Sequence, residues 1–172
     1  MSKISEISDI DIDKLTLEKS NRGKYHNILY EDNPILIETE FLPAPFGLDE
    51  SYNNKFIKLA LKNIKNSLES QELYTFIETL EKKLVELIPD CDGIESQVRC
   101  HSKYDPILTV KVPMGKNSVN VEVVDKNGTP FNLYGLNKGD YVKCILLIDT
   151  VWYFRGKYSY KIKAKRIVLD RN

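Results

Sequence analysis

The sequence predicts one β-rich domain with a single long helix, folded as an antiparallel sandwich or a small closed barrel. Most segments alternate apolar and polar residues with the period of two that is typical of half-buried strands. Only residues 70–88 carry apolar residues at the three- and four-residue spacings of a helix. Because strands and helices do not alternate along the chain, a doubly wound parallel sheet is excluded. The 172 residues, of which 42% are apolar and 29% charged, suffice for one hydrophobic core.

The first part of the chain is expected to form an acidic tail and then strands. Residues 1–13 alternate Ile with Asp or Glu and bury no face of their own, so the domain itself is expected over residues 14–172 and the tail is expected to be mobile. Pro43 and Pro45 lack an amide donor, and residues 43–48 are therefore expected to leave the sheet as a fixed loop that carries Phe46. Extended structure is expected from Leu15, over 25–30 after a turn at residues 21–23, and over 34–42.

The middle of the chain contains one strand and the helix. Residues 56–61 alternate, with Lys58 on the polar side. Ser70 is a plausible cap for the helix, and Pro89 ends it. The apolar face of the helix is expected to pack on the sheet through Leu73, Phe76, Leu80, Leu84 and Leu87.

After the helix, segments rich in β-favouring residues predict six further strands. Lys126-Asn127-Gly128 is a hairpin signal, and Arg155-Gly156-Lys157 joins the two longest strands tightly enough for a second hairpin. The predicted strands span residues 98–104, 107–112, 119–124, 131–134, 141–154 and 158–169.

Composition favours a protein that stays inside the cell, in the cytoplasm. The longest apolar run, residues 144–148, is far shorter than the roughly 20 residues that cross a bilayer. The N-terminus lacks the basic start and apolar stretch of a secretory signal. Three cysteines form an odd set without CxxC spacing, and free thiols are expected.

No catalytic constellation is visible, and we expect no enzyme activity, no cofactor and no metal. The chain lacks the glycine-rich phosphate loops and the nucleophile elbow of common enzyme families. His26 and His101 fall in separate predicted strands. The aspartates of the N-terminus lack the turn glycine and the later glutamate of a calcium loop. Cys91, Cys100 and His101 match no common zinc-ligand spacing.

Charge is unevenly distributed, although the formal net charge is +0. Residues 1–50 contain 5 Lys/Arg against 11 Asp/Glu, whereas residues 138–172 contain 9 against 3. The basic end interleaves aromatic and cationic residues, which suits single-stranded nucleic acid, because bases stack on rings while cations neutralise phosphates. The alternative is that the rings fill the core and the lysines only solubilise the sheet. The expected contact residues are Trp152, Tyr153, Phe154, Arg155, Lys157, Tyr158, Tyr160, Lys161, Lys163 and Lys165, with Lys143 and Lys111 on neighbouring strands.

The order of several short motifs resembles the single-stranded DNA-binding proteins of large double-stranded DNA viruses, which are related to those of T7-like phages. This resemblance covers roughly residues 28–169. It implies an OB-fold that coats single strands during replication or recombination, with Trp152 and its neighbours as the contact residues. The phage proteins end in an acidic tail, and this chain does not, which leaves C-terminal recruitment of partners in doubt. The motifs are Pro34-Ile-Leu-Ile, Pro45-Phe-Gly-Leu48, the alternating residues 56–61, the helix from Ser70, Ile107-Leu-Thr-Val-Lys-Val-Pro113 and residues 139–152 up to Trp152.

Three functional hypotheses stay open at this stage. The first is a non-catalytic single-stranded DNA-binding protein, for which RNA is an alternative ligand, and for which replication proteins and a second copy of the chain are candidate partners. The second is a virion structural or assembly protein that uses the same barrel for protein contacts. The third is a nuclease or nucleotide-processing enzyme with scattered ligands. Exposure of the hairpin aromatics beside lysines would favour the first.

Overall fold

The computed structural model describes residues 3–20, 25–51, 54–116 and 119–171. The turn predicted at residues 21–23 lies outside this range. One α-helix, α1, spans Leu68–Leu87. The strands of the described residues are β1 (Ile4–Ser5), β2 (Leu15–Lys19), β3 (Tyr25–Tyr30), β4 (Ile35–Glu38), β5 (Leu42–Ala44), β6 (Leu48–Ser51), β7 (Asn54–Ala60), β8 (Val98–Arg99), β9 (Ile107–Val112), β10 (Glu122–Asp125), β11 (Asp140–Ile148), β12 (Thr150–Phe154), β13 (Lys157–Tyr160) and β14 (Lys163–Leu169).

The larger of two sheets is open rather than closed. Its strand order is β1-β4-β11-β14-β9-β7-β6, and β5, β10 and β8 pair with β11, β14 and β9. Most pairs are antiparallel, but β1–β4, β10–β14 and β14–β9 are parallel. The predicted mostly-β, OB-like fold with one helix is thus confirmed. The closed barrel is not formed within the described residues, because β12 and β13 belong to a second sheet.

The smaller sheet has the order β13-β12-β3-β2. Among its connections to the larger sheet, β11 to β12 and β13 to β14 are the two for which the sequence predicts one continuous strand each. Between buried Ile148 and buried Val151 lie two residues that are not buried, so the alternation changes phase at Asp149 and the chain bends from β11 into β12. The return strand is likewise interrupted between Tyr160 and Lys163.

Helix α1 covers the core with the face that its periodicity predicts. Leu73, Phe76, Leu80 and Leu84 are buried, together with Ile77, and Leu87 is half-buried. The predicted cap is wrong by one turn. The Ser67 Oγ accepts the Ser70 N–H at 3.3 Å, whereas the Ser70 side chain is buried and donates to the Lys62 carbonyl at 2.9 Å. No helix within the described residues is both long and apolar enough to span a membrane.

The acidic N-terminal segment lies against the domain where it is described. Ile4 and Ser5 pair with Leu36 and Ile37 of β4. The two short 3₁₀ turns that follow, Ile7–Asp9 and Ile12–Lys14, contact α1. Half-buried isoleucines of this segment thereby extend the core. The mobility of residues 1–13 stays a prediction.

Two further strand predictions and one loop prediction differ from the structure. Residues 131–134 form no strand, and a 3₁₀ turn spans Leu133–Gly135, since the Asn132 side chain accepts the Tyr134 N–H at 3.0 Å and so favours a turn over a ladder. Of residues 98–104, only Val98–Arg99 pair as a strand. Pro43 lies inside the short strand β5 rather than in a loop. The pairing of β5 with β11 covers only three residue pairs, which suits a strand that contains proline.

Candidate nucleic-acid interface

The β12–β13 hairpin is closed by the two-residue turn Arg155-Gly156. Both residues have positive φ, 50° and 82°, which is the backbone geometry that matches the twist of two antiparallel strands. Phe154 and Lys157 flank the turn as a cross-strand pair. The Arg155 guanidinium lies 5.1 Å from the centre of the Phe154 ring. The hairpin tip therefore presents a ring and two cations together.

The hairpin has an outer side that faces away from the helix. Trp152 is directly opposite Ser159 in β13 and Tyr25 in β3, so these three side chains project together. Phe154 and Lys157 share this side by alternation. Phe154 is 64% exposed and Tyr25 41% exposed, while Trp152 is half-buried. Exposed rings thus line the outer side of the smaller sheet.

The inner side of the hairpin packs on the core and corrects one predicted contact. Tyr160 is fully buried, and its hydroxyl donates a 2.5 Å hydrogen bond to Glu81 of α1. Burial, followed by the nearby Glu81 charge, raises the pKa of Tyr160 well above 10.0. The ring is enclosed by protein and has no face on which a base could stack, so Tyr160 is removed from the predicted contacts.

Tyr153 and Tyr158 form a separate pair on the inner side near the tip. Their ring centres are 4.9 Å apart. Together with Gly93 and Ile94 they line a cavity of about 620 Å³. Its charged lining consists of three carboxylates, those of Asp90, Asp92 and Glu95, and of Lys157 at the hairpin tip, so the cavity is acidic on balance and repels a phosphate backbone. The structure does not bring these two tyrosines together with the rings of the outer side.

Lys161 connects the outer side of the hairpin to the larger sheet. It follows Lys157 and Ser159 in alternation, and its ammonium lies 5.9 Å from the centre of the Phe56 ring in β7. Phe56 is the cross-strand partner of Lys111 in β9, which in turn is the partner of Lys163 in β14. A continuous outer surface of rings and lysines therefore crosses both sheets.

The opposite end of this surface contains residues that the sequence did not single out as contacts. Lys58 lies on the same side of β7 as Phe56, and its ammonium is 5.7 Å from the ring centre of Phe46, which is 54% exposed. The alternation of β7 had already placed Lys58 on the polar side. We call the whole surface the aromatic–basic face, and it consists of Tyr25, Phe46, Phe56, Lys58, Lys111, Trp152, Phe154, Lys157, Lys161 and Lys163.

Two of the predicted lysines lie apart from this face. Lys143 forms a 3.0 Å ion pair with Glu38, and hydrogen bonding to Glu38 raises the pKa of the lysine. It is the cross-strand partner of Val168, five residues along β14 from Lys163, and its neighbours are Phe41 and the turn after β10. Lys165 is exposed at an irregular step of β14, where two residues separate buried Ala164 from buried Ile167. The strict alternation that would align Lys165 with Lys163 is therefore broken.

Within the described part of the chain, no three His, Cys, Asp or Glu side chains are grouped so that they could hold a metal ion. The cysteines are not disulfide-bonded. Cys144 is buried, Cys91 is half-buried and Cys100 is exposed.

Solved structures with a similar fold include bacteriophage proteins. The single-stranded DNA-binding protein of bacteriophage T7 aligns with a TM-score of 0.55 and 11% identity, over 81% of this chain and 87% of that one. A C-terminally truncated single-stranded DNA-binding protein of bacteriophage Enc34 aligns with a TM-score of 0.54 and 10% identity, over 93% and 95%. The Enc34 protein in complex with single-stranded DNA gives a TM-score of 0.52 at 9% identity, over 92% and 96%.

Sequence comparison adds nothing to these matches, since no protein-family model and no curated protein sequence matches the chain. Identities of 9–11% establish similarity of fold only. The fold that the sequence resemblance implied is therefore confirmed, and the chain folds like these bacteriophage single-stranded DNA-binding proteins.

Proposed function

We propose that the protein binds single-stranded DNA, without sequence preference, through the aromatic–basic face. The observation that carries this proposal is that ammonium groups lie close to aromatic rings along one outer surface. Lys161 lies near Phe56, and Lys58 lies near Phe46. The fold supports it, because proteins of the same fold are single-stranded DNA-binding proteins and one was solved with single-stranded DNA.

Base stacking and phosphate neutralisation would act side by side on this face. Unpaired bases have exposed π-faces that stack on rings such as Phe154 and Phe56, at about 1–3 kcal/mol per base. The adjacent lysines would follow the phosphates and release condensed counterions. Neither contribution depends on base identity, so the binding we propose is tolerant of sequence.

In this role the protein coats single strands during genome replication or recombination, inside the cell and without catalysing a reaction. Replication proteins are the partners we expect, and a homodimer is a further expectation. We take DNA rather than RNA as the ligand because the proteins of similar fold carry that name. Competition between matched DNA and RNA oligonucleotides tests this choice.

The deciding experiment follows Trp152 fluorescence during titration with an unstructured oligonucleotide at several salt concentrations. A triple variant carries Lys111→Gln, Lys157→Gln and Lys161→Gln. We expect weaker binding, and a slope of log affinity against log salt that is smaller by about 2, since each phosphate contact contributes roughly 0.7.

The matched control removes three exposed lysines that lie away from the face: Lys14→Gln, Lys65→Gln and Lys82→Gln. It should keep the wild-type salt slope. If the first triple variant is folded and binds with wild-type affinity and slope, this face is not the binding site. The virion-assembly hypothesis would then take precedence.

A further inference from the structure

Two lysines of the aromatic–basic face are each paired with a carboxylate. The Asp149 Oδ1 is 3.0 Å from the Lys163 ammonium, and the Asp49 Oδ2 is 3.3 Å from the Lys58 ammonium. Both pairs are partly open to solvent, with side-chain exposures of 28% and 27% for the first and 38% and 37% for the second. A ligand approaching the face would meet both pairs.

Asp149 is held in place independently of its lysine. It sits at the bend between β11 and β12, where its carbonyl accepts the Ile28 N–H at 2.8 Å. Its carboxylate also accepts a hydrogen bond from the Thr150 hydroxyl at 3.3 Å. The carboxylate would therefore stay near the face if Lys163 turned to another anion.

Asp49 has the equivalent position at the other end of the face. It is the cross-strand partner of Phe56, so its side chain projects outward beside that ring. Lys58 lies two residues further along the same side of β7 and lies over the Phe46 ring. This end of the face therefore combines a ring, a lysine and a carboxylate. At the bend, Lys163 and Asp149 are paired where β12, the strand that contains Trp152, begins.

The other lysines of the face differ from these two. In the described part of the chain, Lys111, Lys157 and Lys161 form no ion pair. An ion pair of the same kind occurs off the face, where Lys126 is 2.9 Å from Asp170. Asp170 is seven residues beyond Lys163, roughly 23 Å along an extended strand.

We propose that Asp149 and Asp49 occupy two phosphate positions of the bound single strand, so that binding replaces each carboxylate on its lysine by a phosphate. This inference rests on the proposed function. A carboxylate oxygen that lies 3.0–3.3 Å from a lysine ammonium is negatively charged and occupies the position that an oxygen of a bound phosphate would take. The displaced carboxylate remains close to the incoming phosphate and repels it, which lowers affinity and speeds release.

The substitution Asp149→Asn removes the charge and keeps an oxygen that can accept the Thr150 hydrogen bond. Exposed ion pairs are weak. Removing the carboxylate that competes with phosphate for Lys163 should therefore raise the affinity by only about threefold. Lys163 can then bind a phosphate without first losing an ion pair within the protein. The slope of log affinity against log salt should therefore steepen by roughly 0.7. Asp49→Asn should act in the same way through Lys58, and dissociation should slow in both variants.

The control is Asp170→Asn, which removes the same charge from a lysine pair outside the face. A second control combines Asp149→Asn with Lys163→Gln, which should cancel the gain. Tighter binding and a steeper salt slope for the two face variants, with wild-type values for Asp170→Asn, support the proposal.

Equal gains in all three single variants would indicate general charge repulsion and overturn it. Unchanged or weaker binding by folded Asp149→Asn, while wild type binds, also overturns it and leaves the proposed function intact. If Asp149→Asn fails to fold, Asp49→Asn decides by the same criteria. A wild-type protein that binds no oligonucleotide instead refutes the proposed function itself.

Discussion

Neighbouring aromatic residues of the β12–β13 hairpin lie in different environments. Phe154 is 64% exposed and Tyr160 is fully buried, although only five residues lie between them. Strand alternation predicted which residues share a side, including the apolar side that holds Tyr160. It did not identify the ion-pair partners of lysines, since Glu38 is far from Lys143 in sequence. Composition therefore located the basic hairpin but did not separate exposed residues from core residues.

Phe154→Ala should weaken binding of an unstructured oligonucleotide by about 1–3 kcal/mol, because an exposed ring that stacks on a base is lost. The salt slope should not change, since no cation is removed. Trp152 fluorescence measures both. Tyr104→Ala is the matched control, because Tyr104 is 71% exposed and lies outside the face. Wild-type affinity of Phe154→Ala would show that the hairpin tip does not contact bases.

Two buried acidic groups predict loss of stability at alkaline pH. Burial raises the pKa of Cys144 from 9.0 to about 12, and burial with the Glu81 charge raises the pKa of Tyr160 well above 10.0. Both groups stay protonated in the folded state while the unfolded chain releases its protons. Stability is therefore complete below about pH 9 and falls as pH rises, by up to about 1.4 kcal/mol per pH unit for each group.

The contribution of Tyr160 can be separated by the variant Tyr160→Phe. It should be less stable than wild type at pH 8, because the hydrogen bond to Glu81 is lost. Above pH 10 its stability should fall less steeply. Free energies of unfolding in urea between pH 8 and 11 measure both effects. Parallel curves for the two proteins would show that Tyr160 does not titrate on unfolding.

The β12–β13 hairpin depends on the backbone geometry of its two-residue turn. Gly156 has a φ of 82°, in a region that L side chains adopt only at a cost of about 1–2 kcal/mol. A Cβ at this position would meet only the Tyr153 hydroxyl, at an ordinary 3.9 Å. Gly156→Ala should therefore lower the free energy of unfolding by about 1 kcal/mol through backbone strain alone.

The control is Gly93→Ala, where a Cβ would meet nothing within 4 Å and φ is not in the left-handed region. It should leave stability within about 0.5 kcal/mol of wild type. Urea denaturation of the three proteins provides the comparison. Equal stability of Gly156→Ala and wild type would mean that the turn relaxes to another geometry.

Elements with one strong periodicity were predictable, and those that depend on a bend were not. Residues 107–112 form the predicted strand, and α1 lies within two residues of its predicted start. The bend at Asp149 leaves no composition signal, because the residues on both sides favour strands. The chain from 141 to 154 was therefore read as one strand. The cap at Ser67 was missed because Ser70 fits the same rule.

In the folded molecule, the acidic and the basic parts of the sequence lie on different surfaces. The acidic N-terminal segment contacts α1, and Asp13 lies 3.9 Å from Lys83 of that helix. Tyr160 of the hairpin packs toward the same helix, while the aromatic–basic face is on the opposite side of the strands. A polyanion would thus be attracted to one side and repelled from the other. The sequence predicted this polarity but not its geometry, which depends on the fold.

The bend at Asp149 has a consequence for how the molecule opens. Several connections run from one sheet into the other. Beside the two that join β11 to β12 and β13 to β14, Val151 and Tyr160 of the smaller sheet are buried in the common core. The smaller sheet cannot separate without exposing that core, so both sheets should form one cooperative unit in native-state hydrogen exchange. The amides of Ile28 and Val151 should exchange with the same free energy as those of β11. Much faster exchange in the smaller sheet alone would show that it unfolds by itself.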